Sequence, residues 1–185
     1  MSEPFAVAVI VGSLRAASFS RRIAKALIER APADLACRII EIGDLDLYDE
    51  DLEINQPPSW EQFRDEVRAC QAALFVTPEY NRSTPGVLKN AVDVGSRPYG
   101  RSVWDRMPAA VVGVSPGKLG AFGANHALRQ SFVFLNMPAM QQPEAYIGGV
   151  ADLVDEEGRM KSEETAKFLK TFMESFSVWI ATARG

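Results

Sequence analysis

Three uncharged runs, Phe5 to Val11, Ala72 to Thr77 and Ala109 to Val114, constrain the fold of this chain more than any other feature. Such blocks suit strands covered on both faces, as in a parallel sheet. Between them the pattern changes to helical spacing. Ile23, Ala24, Leu27 and Ile28 mark a helix from about Ser18 to Arg30, and Phe63, Val67 and Cys70 mark another over Ser59 to Cys70, with Ser59 as its expected N-cap. Pro85 stands where a further helix opens, leading through Val87, Leu88 and Ala91. A helix from about Ala124 to Leu135 and a last one over Ser162 to Ala183 complete the set, the latter with Phe168, Leu169, Phe172, Phe176 and Trp179 on its inner face. Arg38 to Ile42 reads as the second strand and Pro138 to Gln141 as a short fifth. Strands and helices alternating without a linker or repeat over residues 1–185 predict one right-handed, doubly wound α/β domain.

In such a sheet a ligand lies beyond the carboxyl ends of the strands, where strand order reverses. Three distinctive loops fall there: Gly12 to Ser20, Pro78 to Thr84 and Ser115 to Gly120. The first offers the hydroxyls of Ser13, Ser18 and Ser20, the guanidinium of Arg15 and the free amides of a helix's first turn, parts that suit phosphate. No Gly-Lys-Ser/Thr follows Gly12, and the further glycines of a dinucleotide fingerprint are missing. A terminal monophosphate such as that of FMN fits best; the plainer alternative is a serine-capped helix with a surface arginine.

The remaining composition mainly excludes. With 20 basic and 24 acidic residues spread along the chain and a net charge of −4, it has no nucleic-acid signature. No apolar run is long enough to cross a bilayer, and no basic segment followed by an apolar stretch opens the sequence, so a cytoplasmic setting is expected. Cys37 and Cys70 lack neighbouring ligands and read as buried thiols rather than a metal or disulfide pair. The acidic stretch from Asp44 to Glu53 lacks the glycine turn of a calcium loop and reads as a solvated surface.

The combination of Gly12-Ser13-Leu14-Arg15 with Ser18 and Ser20, Thr77-Pro78-Glu79-Tyr80-Asn81, Pro85-Gly86 with Leu88-Lys89-Asn90-Ala91 and Asp93, and Leu128-Arg129-Gln130 with Phe134-Leu135 resembles the NAD(P)H-dependent FMN reductase family. These are the flavodoxin-like quinone, azo-dye and chromate reductases. The resemblance implies a five-stranded parallel sheet of order 2-1-3-4-5 with helices on both faces and FMN bound noncovalently. It places Ser13, Leu14, Arg15, Ser18, Phe19 and Ser20 around the phosphate end, and Pro78, Glu79, Tyr80 and Asn81 beside the isoalloxazine, largely through backbone groups. Ser115 and Gly117 approach the ring from the third loop. Tyr80 as a surface aromatic and Asn81 as a turn former are the ordinary alternatives.

The chain departs from the family pattern in three places. Ser20 stands where many relatives have Asn, Val94 where many have Trp, and Gly120-Ala121-Phe122-Gly123 where two adjacent glycines and then an arginine are usual.

The implied activity moves two electrons, by hydride transfer, from NADH or NADPH through FMN N5 to quinones, and to azo compounds, free flavin or chromate as further acceptors. One shared face over the ring predicts ping-pong kinetics, and no protein side chain is required as a catalytic acid or nucleophile. Arg101 and Arg82 are candidate contacts for the substrates, with a solvated loop arginine the alternative for Arg101. An FMN-binding redox sensor without turnover is a second class of function, and a flavin-free nucleotide-binding protein a third. The resemblance also implies a homodimer or homotetramer across the helix that carries His126, the only histidine; we expect His126 to pair there with Glu144 of a neighbouring copy.

Overall fold

The structure, a computed structural model, describes residues 3–185. Its elements run β1 (Phe5–Val11), α1 (Phe19–Glu29), β2 (Leu35–Ile40), a 3-10 turn (Glu50–Ile54), α2 (Pro58–Arg68), β3 (Ala72–Thr77), α3 (Gly86–Gly95), β4 (Ala109–Val114), α4 (Phe122–Phe134), β5 (Ala145–Ile147), α5 (Val150–Leu153) and α6 (Glu163–Arg184). The strands form one parallel sheet in the order β2-β1-β3-β4-β5, as the family resemblance implies.

Two-residue periodicity divides each central strand between two cores. Val7, Val9 and Val11 of β1, with Leu74 and Val76 of β3, meet Ile23 and Leu27 of α1 and Leu169, Phe172 and Phe176 of α6. Ala8 and Ile10, with Phe75, meet Trp60 and Phe63 of α2, Leu88 and Val94 of α3, and Leu128 and Phe132 of α4. The sheet is therefore covered on both faces, which is why β1, β3 and β4 needed no polar side, while the edge strand β2 leaves Ala36 and Arg38 exposed. The aromatic stripe of α6 belongs to this core, as its spacing predicts.

Three elements differ from the sequence reading. β2 begins three residues earlier than expected, paired with β1 from Phe5 and Leu35 onward, while Ile42 stays buried beyond its end. α2 starts at Pro58, whose fixed φ pre-forms the first turn, after the extended N-cap Pro57; the Ser59 hydroxyl is not a cap but donates to Asp46 Oδ2 at 2.7 Å. The fifth strand is divided. Ala109 N–H donates to Pro138 C=O (3.0 Å) and Met140 N–H to Ala109 C=O (2.7 Å), so the expected segment does meet β4. Pro143, which lacks an N–H, follows, and the regular ladder is made by Ala145–Ile147 instead.

Two residues that carry the family resemblance do structural work. Asn90 of α3 accepts from Tyr48 N–H (2.8 Å) and donates to Asp46 C=O (3.1 Å), pinning the acidic loop after β2. Arg129 of α4 donates to Asn125 Oδ1 (2.8 Å) and Met140 C=O (3.0 Å), fixing the approach to β5.

Candidate functional site

The first loop leaves β1 at Gly12, whose N–H still donates to Val76 C=O at 2.9 Å. A Cβ there would lie 2.9 Å from Leu88 Cδ2 and 3.1 Å from Thr77 Oγ1, so any larger residue would have to push the Leu88 side chain aside. Ser18 caps α1, its Oγ accepting from Arg21 N–H at 3.1 Å. The capping serine of the plainer reading is thus present, and its O–H is still free to donate. Ser13 and Ser20 differ: they are 5% and 1% exposed, both line the cleft described below, and neither hydroxyl has a partner among the described residues. The amides of Ser13 to Ala17, Phe19 and Ser20 likewise donate to nothing among the described residues. No acidic side chain occupies the first turn of α1. Hydroxyls and amides left over at a helix N-terminus form a cradle for an anion.

The second loop turns back on itself immediately. Tyr80 and Ser83 exchange two backbone hydrogen bonds, of 3.1 and 3.0 Å, around Asn81 (φ 52°) and Arg82 (φ 65°). Positive φ at both central residues defines the two-residue turn in which Asn is favoured first and Gly second, so Asn81 is a turn former and Arg82 a strained occupant. The Glu79 carboxylate reaches α4, where Oε2 accepts from Ala124 N–H at 3.2 Å; Arg82 stands 3.7 Å from Oε1 and is largely exposed.

Close backbone packing governs the third loop. Ser115 N–H donates to Ile147 C=O (2.9 Å), and Ser115 Oγ accepts from Gly117 N–H (3.0 Å). A Cβ on Gly120 would sit 2.5 Å from the Tyr146 carbonyl carbon, and one on Gly148 would sit 2.4 Å from Lys118 O. Gly120 has φ +59°, as its glycine allows, whereas Ala121 beside it holds φ 62° without that freedom.

These loops enclose a cleft of about 240 Å³ lined by Ser13, Arg15, Ser18, Phe19, Ser20, Pro78, Glu79, Tyr80, Val114, Ser115 and Pro116. Nine of these were singled out from the sequence. Val114 and Pro116 were not; the signal for them was position alone, flanking Ser115 at the end of an apolar strand. Leu14 does not line the cleft and reaches toward Gly43. Asn81 is used in its turn, and Gly117 in the Ser115 turn and in a bond from Gly149 N–H (3.2 Å). Arg82 lies two residues from the lining residue Tyr80, whereas Arg101 is on the exposed segment after α3. A larger depression of about 430 Å³ lies beside Tyr99 and Phe134, but the free amides and serine hydroxyls converge on the smaller one.

Behind the third loop, His126 Nε2 lies 3.0 Å from Tyr146 Oη, with Phe122 packed on the imidazole at 4.2 Å between ring centroids. Within the chain His126 therefore meets Tyr146 rather than Glu144. Burial, and then the Glu144 carboxylate, push the Tyr146 phenol up to about 12. Cys70 is buried and Cys37 half-buried, both unpaired, and burial pushes the Cys37 thiol up to about 11. No group of three His, Cys, Asp or Glu able to hold a metal occurs among the described residues, and no helix there is long and apolar enough to cross a membrane.

The sequence model described as NADPH-dependent FMN reductase matches residues 5–152. A Pseudomonas putida protein named quinone reductase is 58% identical over 185 residues, covering 100% of this chain and 99% of its own. A Burkholderia protein named 2-hydroxy-1,4-benzoquinone reductase is 42% identical over 96% of this chain and 97% of its own. Among solved structures, FerB of Paracoccus denitrificans, described as a flavoenzyme NAD(P)H:(acceptor) oxidoreductase, superposes with a TM-score of 0.91 at 41% identity, covering 97% of this chain and 98% of that one.

Proposed function

The chain belongs to the NADPH-dependent FMN reductase family, a flavoenzyme fold using FMN and NAD(P)H, and from that premise we propose that it reduces quinones by a ping-pong sequence in the cleft between its three loops. The observation that carries this reading is the set of unpartnered donors at the N-terminus of α1: the Ser13 and Ser20 hydroxyls and the surrounding amides, with Arg15 at the rim.

These groups fit a phosphate dianion. Ser13 and Ser20 donate without giving up an internal bond, Ser18 donates while its lone pair caps α1, and Arg15 adds charge; Leu14 contributes its free backbone N–H. Pro78, Glu79 and Tyr80 form one wall for the ring, and Val114, Ser115 and Pro116 the other. The Glu79 amide has no partner among the described residues and would be available as a donor to the ring. Asn81 and Gly117 act indirectly, by shaping the two loops. FMN, when bound there, would supply the redox chemistry, two-electron transfer from NAD(P)H to the acceptor. The balance is NAD(P)H plus quinone plus a proton giving NAD(P)⁺ and hydroquinone. Donor and acceptor use the same opening in turn, bordered by the half-exposed ring of Tyr80. Arg82 stands near enough to Tyr80 to attract the donor's phosphates, and Arg101 is the weaker choice.

The same opening admits azo compounds, free flavin and chromate as secondary acceptors, with the enzyme acting in the cytoplasm as a homodimer or homotetramer. That assembly is proposed to form across α4 and the segment before β5, where Phe122, Val133 and Phe134 are exposed and His126 and Glu144 lie.

The test is anaerobic. Protein reconstituted with FMN should bleach on mixing with NADH or NADPH and regain its yellow colour with benzoquinone, and steady-state double-reciprocal plots should be parallel. Absence of bleaching would leave a flavin-binding sensor and reject the enzyme; intersecting plots would reject the ping-pong order.

A further inference from the structure

α4 begins without a cap of its own. Ala121 precedes it in the left-handed region (φ 62°) and brings no side-chain hydrogen bond. The missing acceptor comes from 45 residues away, where Glu79 Oε2 takes the Ala124 N–H at 3.2 Å. A carboxylate at a helix N-terminus is favoured by the helix dipole as well as by the bond. The fit leaves no slack, because a Cβ on Gly123 would lie 2.9 Å from Glu79 Oε2 and 2.8 Å from Arg82 O. Thr84 Oγ1 adds a long contact to Ala124 O at 3.4 Å. The turn held in this way is the one with two non-glycine residues at positive φ, which persists only when its surroundings impose it.

We propose that Glu79 is a positioning residue: its carboxylate clasps the Tyr80–Ser83 turn to the N-terminus of α4 and so holds the Glu79 amide and the Tyr80 ring at the cleft. This rests on the reading of that cleft as the FMN site. The side chain works at the helix while the backbone of the same residue faces the cofactor. Gly123 is the other half of the device, since any side chain there would displace the carboxylate.

The experiment compares Glu79→Ala and Glu79→Gln in the full chain. In flavin-free protein, Glu79→Ala should speed hydrogen exchange of the Ala124 amide at least tenfold. It should also raise the Kd for FMN, read by flavin fluorescence quenching, at least tenfold. Glu79→Gln keeps an oxygen that accepts the same bond and should stay within threefold of wild type on both readouts. Gly123→Ala, which retains Glu79 but takes its space, should weaken FMN binding as Glu79→Ala does and serves if that variant does not fold. Glu79→Ala binding FMN within twofold of wild type would overturn the proposal, as would Glu79→Gln failing as badly as Ala. Wild-type protein that takes up no FMN would overturn the cofactor site itself, a result seen before any variant is made.

Discussion

Ser18 and Ser20 look alike in sequence and hold different positions in the energetics. Ser18 already accepts a backbone hydrogen bond at 3.1 Å, so Ser18→Ala should cost the flavin-free protein about 1 kcal/mol, visible as a lower Tm. Ser20 is 1% exposed and faces the cleft, and its hydroxyl bonds to nothing among the described residues, so Ser20→Ala should leave that Tm almost unchanged. A hydrogen bond to a charged group is worth about 1.5–3 kcal/mol, so loss of the Ser20 hydroxyl should weaken FMN binding roughly ten- to a hundredfold. A Ser20→Ala protein with lowered Tm and wild-type affinity would make the residue structural instead. Both serines were legible because a hydroxyl beside a helix start has few uses. The role of the Glu79 side chain was not, since its partner is a backbone amide on a helix whose missing cap no local pattern announces.

At the level of elements, what the sequence hid was close approach. Gly95 reads as an ordinary last residue of α3, yet a Cβ there would fall 2.4 Å from the Trp104 indole nitrogen, which donates to Val92 C=O at 2.9 Å. Trp104 is fully buried beside Phe63 and Phe75, so it cannot retreat. With Trp60 it is one of two fully buried indoles in the cluster that also holds Val94. Gly95→Ala should therefore destabilise the fold by about 1–3 kcal/mol, measured by urea unfolding, despite the better helix propensity of alanine. β5 was misplaced for a related reason: the hydrogen bonds of Pro138 and Met140 to Ala109 satisfy a strand pattern, but the continuous ladder resumes only beyond Pro143. β5 also carries a pH signature. Because the Tyr146 phenol is held at about 12, above its ordinary 10, its contribution is complete below pH 10 and is lost as pH rises toward 12. Tyr146→Phe should remove one late-titrating phenol from the ultraviolet titration and flatten the alkaline loss of stability.

For the whole molecule, parallel topology made the fold and the place of the candidate site readable, since doubly covered strands exclude most architectures and direct a ligand toward the carboxyl ends of the strands. Surfaces outside that edge follow no such rule, and they decide assembly. Val133 and Phe134 are adjacent on α4 and 84% and 87% exposed, and Phe134 lines, with Leu135, the depression that also holds Tyr99. Ala124, clasped by Glu79, lies nine or more residues earlier on the helix, about 14 Å along its axis at 1.5 Å per residue. Substitutions at the exposed pair should therefore separate assembly from cofactor binding. If α4 forms the contact between copies, Val133→Ser with Phe134→Ser should weaken self-association at least tenfold in sedimentation equilibrium while leaving the FMN Kd within twofold. A double variant that assembles like wild type would move the contact elsewhere. Loss of FMN affinity in step with dissociation would mean instead that a neighbouring copy completes the cleft, making the oligomer part of the catalytic unit.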